Sequence, residues 1–180
     1  MTRLVGAALV FVAAGAGSLQ AQHAPARFDR PARVHEYAAS LSDPYSWGSV
    51  AASTLLDHVL DNPETWTFGD RALSNAGRFV LEESIYHGVA ALQDRSTWYY
   101  PCDCTAIPTR AAHAFAEAFT DHDRNGGIHV STARLSATYG AALAEALWRP
   151  DTSIGDAVVT GSTSLLFSGA FNILREFVQP

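Results

Sequence analysis

Two pairs of side chains in this sequence stand at a spacing that can hold an ion or move a proton. Glu83 and His87 are four residues apart, and so are His113 and Glu117. On a helix each pair projects from one face, so two facing helices would bring two imidazoles and two carboxylates together. Carboxylate-bridged metal bundles are built in this way, but from Glu-x-x-His spacing with further carboxylates on two more helices. The longer spacing also fits a hydrogen bond or a plain ion pair, the commoner use of such neighbours. A transition-metal site is the special reading of these four residues and a structural pair the ordinary one.

Residues 121 to 128 follow the first eight positions of a calcium loop, with Asp121, Asp123 and Asn125 as the candidate ligands. The closing bidentate acid is missing, because Thr132 stands in its place. A solvated turn between two helices accounts for the same Asp, Asn and Gly residues. The turn reading needs no cofactor and is the expectation, while the loop reading would take calcium. Cys102 and Cys104 are the only cysteines, and a local disulfide across one residue is their natural pairing in an oxidising compartment. The Cys-x-x-Cys spacing of a redox helix is absent.

A third group is polar residues on otherwise apolar stretches: Arg110, His113, Arg134, Asn172, Arg175 and Glu176. An unpaired charge in a core is costly, so faces that converge must match Arg with Glu and fill the remaining positions with His or Asn. Such a set is either a closed structural network or the wall of a pocket worked by His113, Glu117, Glu83 and Arg134. One observable separates the two. A network pairs every polar atom at short range without a hollow, whereas a site leaves His113 facing an open, partly polar one. Glu145 and Arg149 read as an exposed i, i+4 pair. His23, His35, His58, His122 and His129 have no partner suggested by spacing and read as surface or rim residues.

Composition closes several other classes. All 12 basic residues are Arg, so lysine chemistry of every kind is excluded. A net charge of -6, with no cluster of Arg, leaves no footprint for nucleic acid. Neither a Gly-x-Ser-x-Gly elbow nor a His-Glu-x-x-His zinc helix occurs.

The elements that must position these residues read as helices. Val34, Tyr37, Ala38 and Leu41 share a stripe that ends at Asp43-Pro44, and Asp43 then caps a second helix carrying Trp47, Val50, Ala51, Thr54 and Leu55 up to Asn62-Pro63. Asp70 caps a long third helix to about Leu92, with Leu73, Ala76, Gly77, Val80, Ser84, His87 and Ala91 on its inward side. Residues 94 to 108 form a packed loop. Thr109 caps a helix reaching Phe119 or Thr120, with Ala112, Phe115, Ala116 and Phe119 inward, and Ser131 caps one running through Trp148. Ser153 with Asp156 makes a capping box for a last helix ending near Phe177. Strands have no clear candidate. The expectation is an all-α fold, a single-domain bundle of five or six helices over 32–180.

Ahead of it, Thr2-Arg3, the apolar run from Leu4 to Gly17 and a small residue at Ala21 read as a cleavable signal peptide over 1–21, with an uncleaved anchor as the alternative. Residues 22–31 read as a flexible leader. The chain is therefore expected outside the cytoplasm, periplasmic or secreted. Residues 157–174 carry no charge and repeat small residues at Ala157, Gly161 and Gly169, which fits either a buried central helix or a face toward lipid.

Arg110 with His113-Ala114, Arg134, Tyr139-Gly140-Ala141-Ala142, Trp148 with Pro150, and Gly169 with Asn172 and Arg175-Glu176-Phe177 together resemble a group of uncharacterised exported bacterial helical proteins. The likeness covers the C-terminal half to two thirds of the chain and implies no activity, cofactor or partner. The expected function is a structural or interaction module of the cell envelope. The alternatives are a small ligand-binding, metal-binding or hydrolase-like protein using His113, Glu117, Glu83 and Arg134, and a membrane-associated protein making contact through 157–174.

Overall fold

The computed structural model describes residues 30–178, the side chain of Tyr45 apart. Among them are six helices: α1 (Arg30–Ser42), α2 (Pro44–Val59), α3 (Phe68–Leu92), α4 (Ile107–Ala116), α5 (Thr132–Glu145) and α6 (Ile154–Val178). The fold is an all-α bundle. The stretch read as a signal peptide and most of that read as a leader lie outside the described residues, and the last two residues of the expected leader, Arg30 and Pro31, belong to the first turn of α1.

Local chemistry sets the helix ends. Asp43 Oδ2 accepts from the Ser46 amide at 3.2 Å and so caps α2 behind Pro44. Ser131 accepts from the Arg134 amide at 2.9 Å at the head of α5, and Ser153 and Asp156 exchange bonds of 2.9 and 3.2 Å ahead of α6. Two starts differ from expectation. Thr67 is the N-cap of α3, with Asp70 at the third helical position closing a capping box. Helix α4 begins at Ile107 behind an Ala106 that makes no side-chain cap, because Pro108 in its first turn needs no amide partner. It also ends at Ala116, and Thr120–His122 (β1) then pairs antiparallel with Ile128–Val130 (β2). The Asp-rich turn therefore closes a hairpin instead of joining two helices.

The larger correction concerns which faces are buried. Helix α3 turns Arg71, Ser74, Asn75, Arg78, Glu82 and Glu83 inward with Phe79, Tyr86 and Ala90. On the stripe expected inward, Leu73 is 77% exposed and Gly77, Val80, Ser84 and Ala91 also face out. Helix α1 does the same, exposing Val34 and burying Glu36. An amphipathic pattern fixes how a helix divides, and the partners available across the bundle decide which half is inside.

Those partners lie mainly on α5, against which α3 packs most extensively. The approach is close because α5 presents Ala133, Ala137 and Ala141, each fully buried. Tyr86, Ala90, Ala133 and Ala137 make a small apolar cluster, flanked by Ile85 and Val89. Beside it stands Glu145, which is 2% exposed and not the surface residue its spacing implied. Its Oε1 accepts from Ser74 Oγ at 2.9 Å and Arg149 NH1 at 3.1 Å, while its Oε2 lies 3.3 Å from Arg78 Nε. Arg149 continues to Asp57 at 3.1 Å, and Asn75 bonds Asp57 at 3.0 Å, which ties α2 to α3 and the end of α5. Helix α6 closes the bundle through glycines. A Cβ at Gly169 would stand 2.5 Å from the Phe115 ring, and one at Gly161 2.7 Å from Tyr139.

Glu145→Ala is expected to lower the unfolding free energy by about 1–3 kcal/mol in urea denaturation, because it removes the buried anion that Arg78 and Arg149 share and leaves them to Glu82 and Asp57. Gly169→Ala is expected to cost about 1–3 kcal/mol by forcing the Phe115 ring aside.

Candidate functional site: a polar cavity in the bundle

Successive turns of α3 carry Arg78, Phe79, Glu82, Glu83, Tyr86 and His87 toward a cavity of about 460 Å³. Glu36 and Ser40 of α1 face it, as do Ser46 and Val50 of α2 and Asp43 between these helices. Helix α6 adds Ser164, Ser168, Asn172 and Arg175, the loop after α3 adds Thr97 to Tyr99, and Arg134 and Glu117 complete the wall. Trp98 is 46% exposed and stands at the rim.

The charged groups of the wall are held by partners of their own. Arg134 NH1 donates to Glu83 Oε1 at 3.1 Å, and its guanidinium lies 3.6 Å above the Tyr86 ring. Glu83 Oε2 is 3.5 Å from His87 Nε2. Glu82 accepts from the Thr138 hydroxyl at 2.6 Å, and Arg78 donates to Ser164 Oγ at 2.6 Å. Glu117 is bridged by His122 Nε2 at 3.0 and 3.2 Å. Glu36 Oε2 accepts from the Thr97 hydroxyl at 2.8 Å, while its Oε1 is buried and has no partner among the described residues.

Burial on its own would raise the Glu83 pKa. The His87 hydrogen bond and the Arg134 charge outweigh it and hold the carboxyl at about 2. Burial pushes the Tyr86 phenol well up, so it stays a neutral donor to Asp121 at 3.2 Å. Burial also works against the Arg134 charge, and the surrounding Tyr86 and Glu83 more than restore it.

The expected residues fall into three places. Glu83, His87, Glu117, Arg134, Asn172 and Arg175 line the cavity. His113 does not: it is buried, its Nε2 donates to the Tyr100 carbonyl at 2.8 Å, and Glu117 lies 4.0 Å away. The exposed imidazole that would have marked a pocket is thus a backbone anchor, and the cavity has His87 instead. Arg110 and Glu176 form a second centre, with Arg110 donating at 3.0 Å to the carboxylate and 2.7 Å to the carbonyl of Glu176. The Tyr99 hydroxyl and the Cys102 amide also bond Glu176, and Cys102 is joined to Cys104 as a disulfide. Arg175 stacks over Tyr99.

The two Glu and His pairs do not merge into one donor set. Asp121 is buried, and burial raises its pKa; Asp123 accepts from the amides of Asn125 and Gly127 at 2.8 Å and from His129 at 2.9 Å, so it organises the hairpin turn. Among the described residues no group of three or more His, Cys, Asp or Glu stands together as a metal site. His122, read as a surface residue, is 3% exposed and pairs with Glu117, and His58 Nδ1 accepts from Arg71 at 3.0 Å. Sequence spacing missed Glu36, Arg78, Glu82 and Glu145. For Arg78 and Glu82 the available signal was their opposite charge at i, i+4 on α3, and Glu145 was read as half of an exposed pair with Arg149.

Glu83 has a lower pKa in the fold than in the unfolded chain, so the stability it supplies is complete above its ordinary value of 4.5 and is lost as pH falls toward about 2. Urea midpoints are expected to drop across that window, and Glu83→Gln is expected to make the drop shallower.

Comparison of the chain with family models, with curated proteins and with solved structures finds no match in any of the three.

Proposed function

We propose that the chain is an exported, non-enzymatic helical module that binds a small polar molecule between α1, α2, α3 and α6. The cavity carries this reading. A bundle that served only as a scaffold would fill its interior to crystal-like density, at a cost for every void. Here about 460 Å³ is left open, within the range of roughly 300–1,000 Å³ of small-molecule sites, and its wall is charged and hydroxylated. The apolar sequence at 1–21 supports export, and the Cys102–Cys104 disulfide fits an oxidising compartment. Binding is favoured over turnover because Glu83, Glu117 and Arg134 are each matched to fixed partners.

Thermal-shift measurements on the chain lacking residues 1–21, with amines, amino acids, sugars, carboxylates and phosphates, are expected to find stabilising compounds. Ser168→Trp, which fills the cavity from α6, is expected to abolish the shift while the helical circular dichroism persists. A panel that leaves the melting temperature unchanged at millimolar concentration would sink this reading.

A second reading, contact with a bilayer, is favoured by α6. It is long and apolar enough to cross a membrane by length and composition, and Ile154, Val158, Val159, Leu166 and Leu174 are exposed along it. Vesicle flotation would test it: Val159→Asp with Leu166→Asp is expected to release the chain from vesicles if that face meets lipid.

A further inference from the structure

We infer that the cavity is built for a small organic ammonium ion, a primary or secondary amine, with Glu36 as the residue that receives it. The inference rests on the binding reading above and names its ligand class.

The first observation is Glu36 itself. It is 7% exposed, it lines the cavity, and no cation pairs with it among the described residues. One carboxylate oxygen is used by Thr97 and the other, Oε1, is buried without a partner. A buried acceptor left unmatched is costly, and more so when charged. Among the described residues, Glu36 Oε1 is the one carboxylate oxygen of the wall that is buried without a partner; Arg78 Nε also lacks a hydrogen bond but lies 3.3 Å from the Glu145 carboxylate. The terminal torsion of a Glu side chain is broad and roughly two-fold, so the group turns toward a donor entering the cavity without leaving a rotamer well.

The second observation is charge. The wall holds the carboxylates of Glu36, Asp43, Glu82, Glu83 and Glu117 against the guanidiniums of Arg78, Arg134 and Arg175. Carboxylates outnumber guanidiniums five to three on this wall, and that surplus favours a cation.

Aromatic faces are the third. Phe79, Trp98, Phe167 and Phe171 line the same space, and two further rings of the wall, Tyr86 and Tyr99, already carry guanidiniums over their faces. Rings beside carboxylates stabilise the methylene stem and the charge of an alkylammonium together. An N–H donor is needed to satisfy Glu36 Oε1, which selects a primary or secondary amine over a quaternary one.

Cadaverine and its neutral counterpart 1,5-pentanediol form the test, titrated calorimetrically at constant ionic strength into the chain lacking residues 1–21. Cadaverine is expected to bind at least about tenfold more tightly than the diol, and Glu36→Gln, which preserves shape and the Thr97 contact, is expected to remove that preference. Ser168→Trp is expected to abolish binding, which separates the cavity from diffuse attraction by an acidic surface. Equal binding of diamine and diol, or full cadaverine affinity in Glu36→Gln, would overturn the ammonium assignment while leaving ligand binding in place. Binding that survives Ser168→Trp, or no binding of either probe, overturns the assignment as well; only failure of the wider panel removes the cavity reading with it.

Discussion

The bundle depends on matching charge inside it. Arg78, Arg149, Glu82 and Glu145 are all drawn away from water, and each would be prohibitively placed alone. Desolvating such groups is repaid only when geometry is close and the leftover lone pairs find donors, which is why Ser74, Thr138 and the indole of Trp148 appear in the same cluster. Glu145 joins α3 to the end of α5 and, through Arg149 and Asp57, reaches α2. The apolar cluster around Tyr86 and Ala90 is small by comparison, so specificity of helix register comes from these pairings more than from interlocking hydrophobic side chains.

The same constraint explains why a hollow exists. Alanines on α5 and glycines on α6 bring backbones together, and long Arg and Glu side chains must then reach sideways between helices. Where α1 and α2 lean against α3 and α6, short Ser side chains and the ends of these long ones meet without filling the space. Polar groups that have already found each other at the edge of a gap do not collapse into it, because doing so would break good hydrogen bonds.

Helix number and most helix ends were legible in the sequence because they are set by neighbours: Asp43 before Pro44, Ser131 before Arg134, Ser153 with Asp156. The short hairpin was not, since Thr120–His122 and Ile128–Val130 are too brief to alternate visibly. Facing was misread on α1 and α3 because the rule that apolar residues point inward holds only when the polar ones lack partners. Leu73 and Val80 seemed the natural core, yet Arg78 and Glu82 had Glu145 and Thr138 waiting across the bundle. Glu83, His87, Glu117 and Arg134 were found by spacing or by their isolation on apolar stretches, and they do share one cavity. Their roles were not legible, because His113 and His87 exchange places only once the Tyr100 carbonyl is positioned by a loop.

That loop is where the site and the fold meet. Three charges on the cavity wall are braced from behind by a residue outside it: Arg78 by Glu145, Glu82 by Thr138, Glu117 by His122. Glu36 is braced instead by Thr97, within the segment between α3 and α4. This segment is tied down by Arg33 to Asp94 at 3.0 Å and to the Arg95 carbonyl at 3.1 Å, and by the bonds from Tyr99 and Cys102 to Glu176. The carboxylate that is least satisfied by the protein is therefore one held by that loop. Helices supply most of the charged frame and the loop sets the aim of the group with an oxygen to spare, so Arg33 and Glu176, which lie outside the wall, act on Glu36 through that loop.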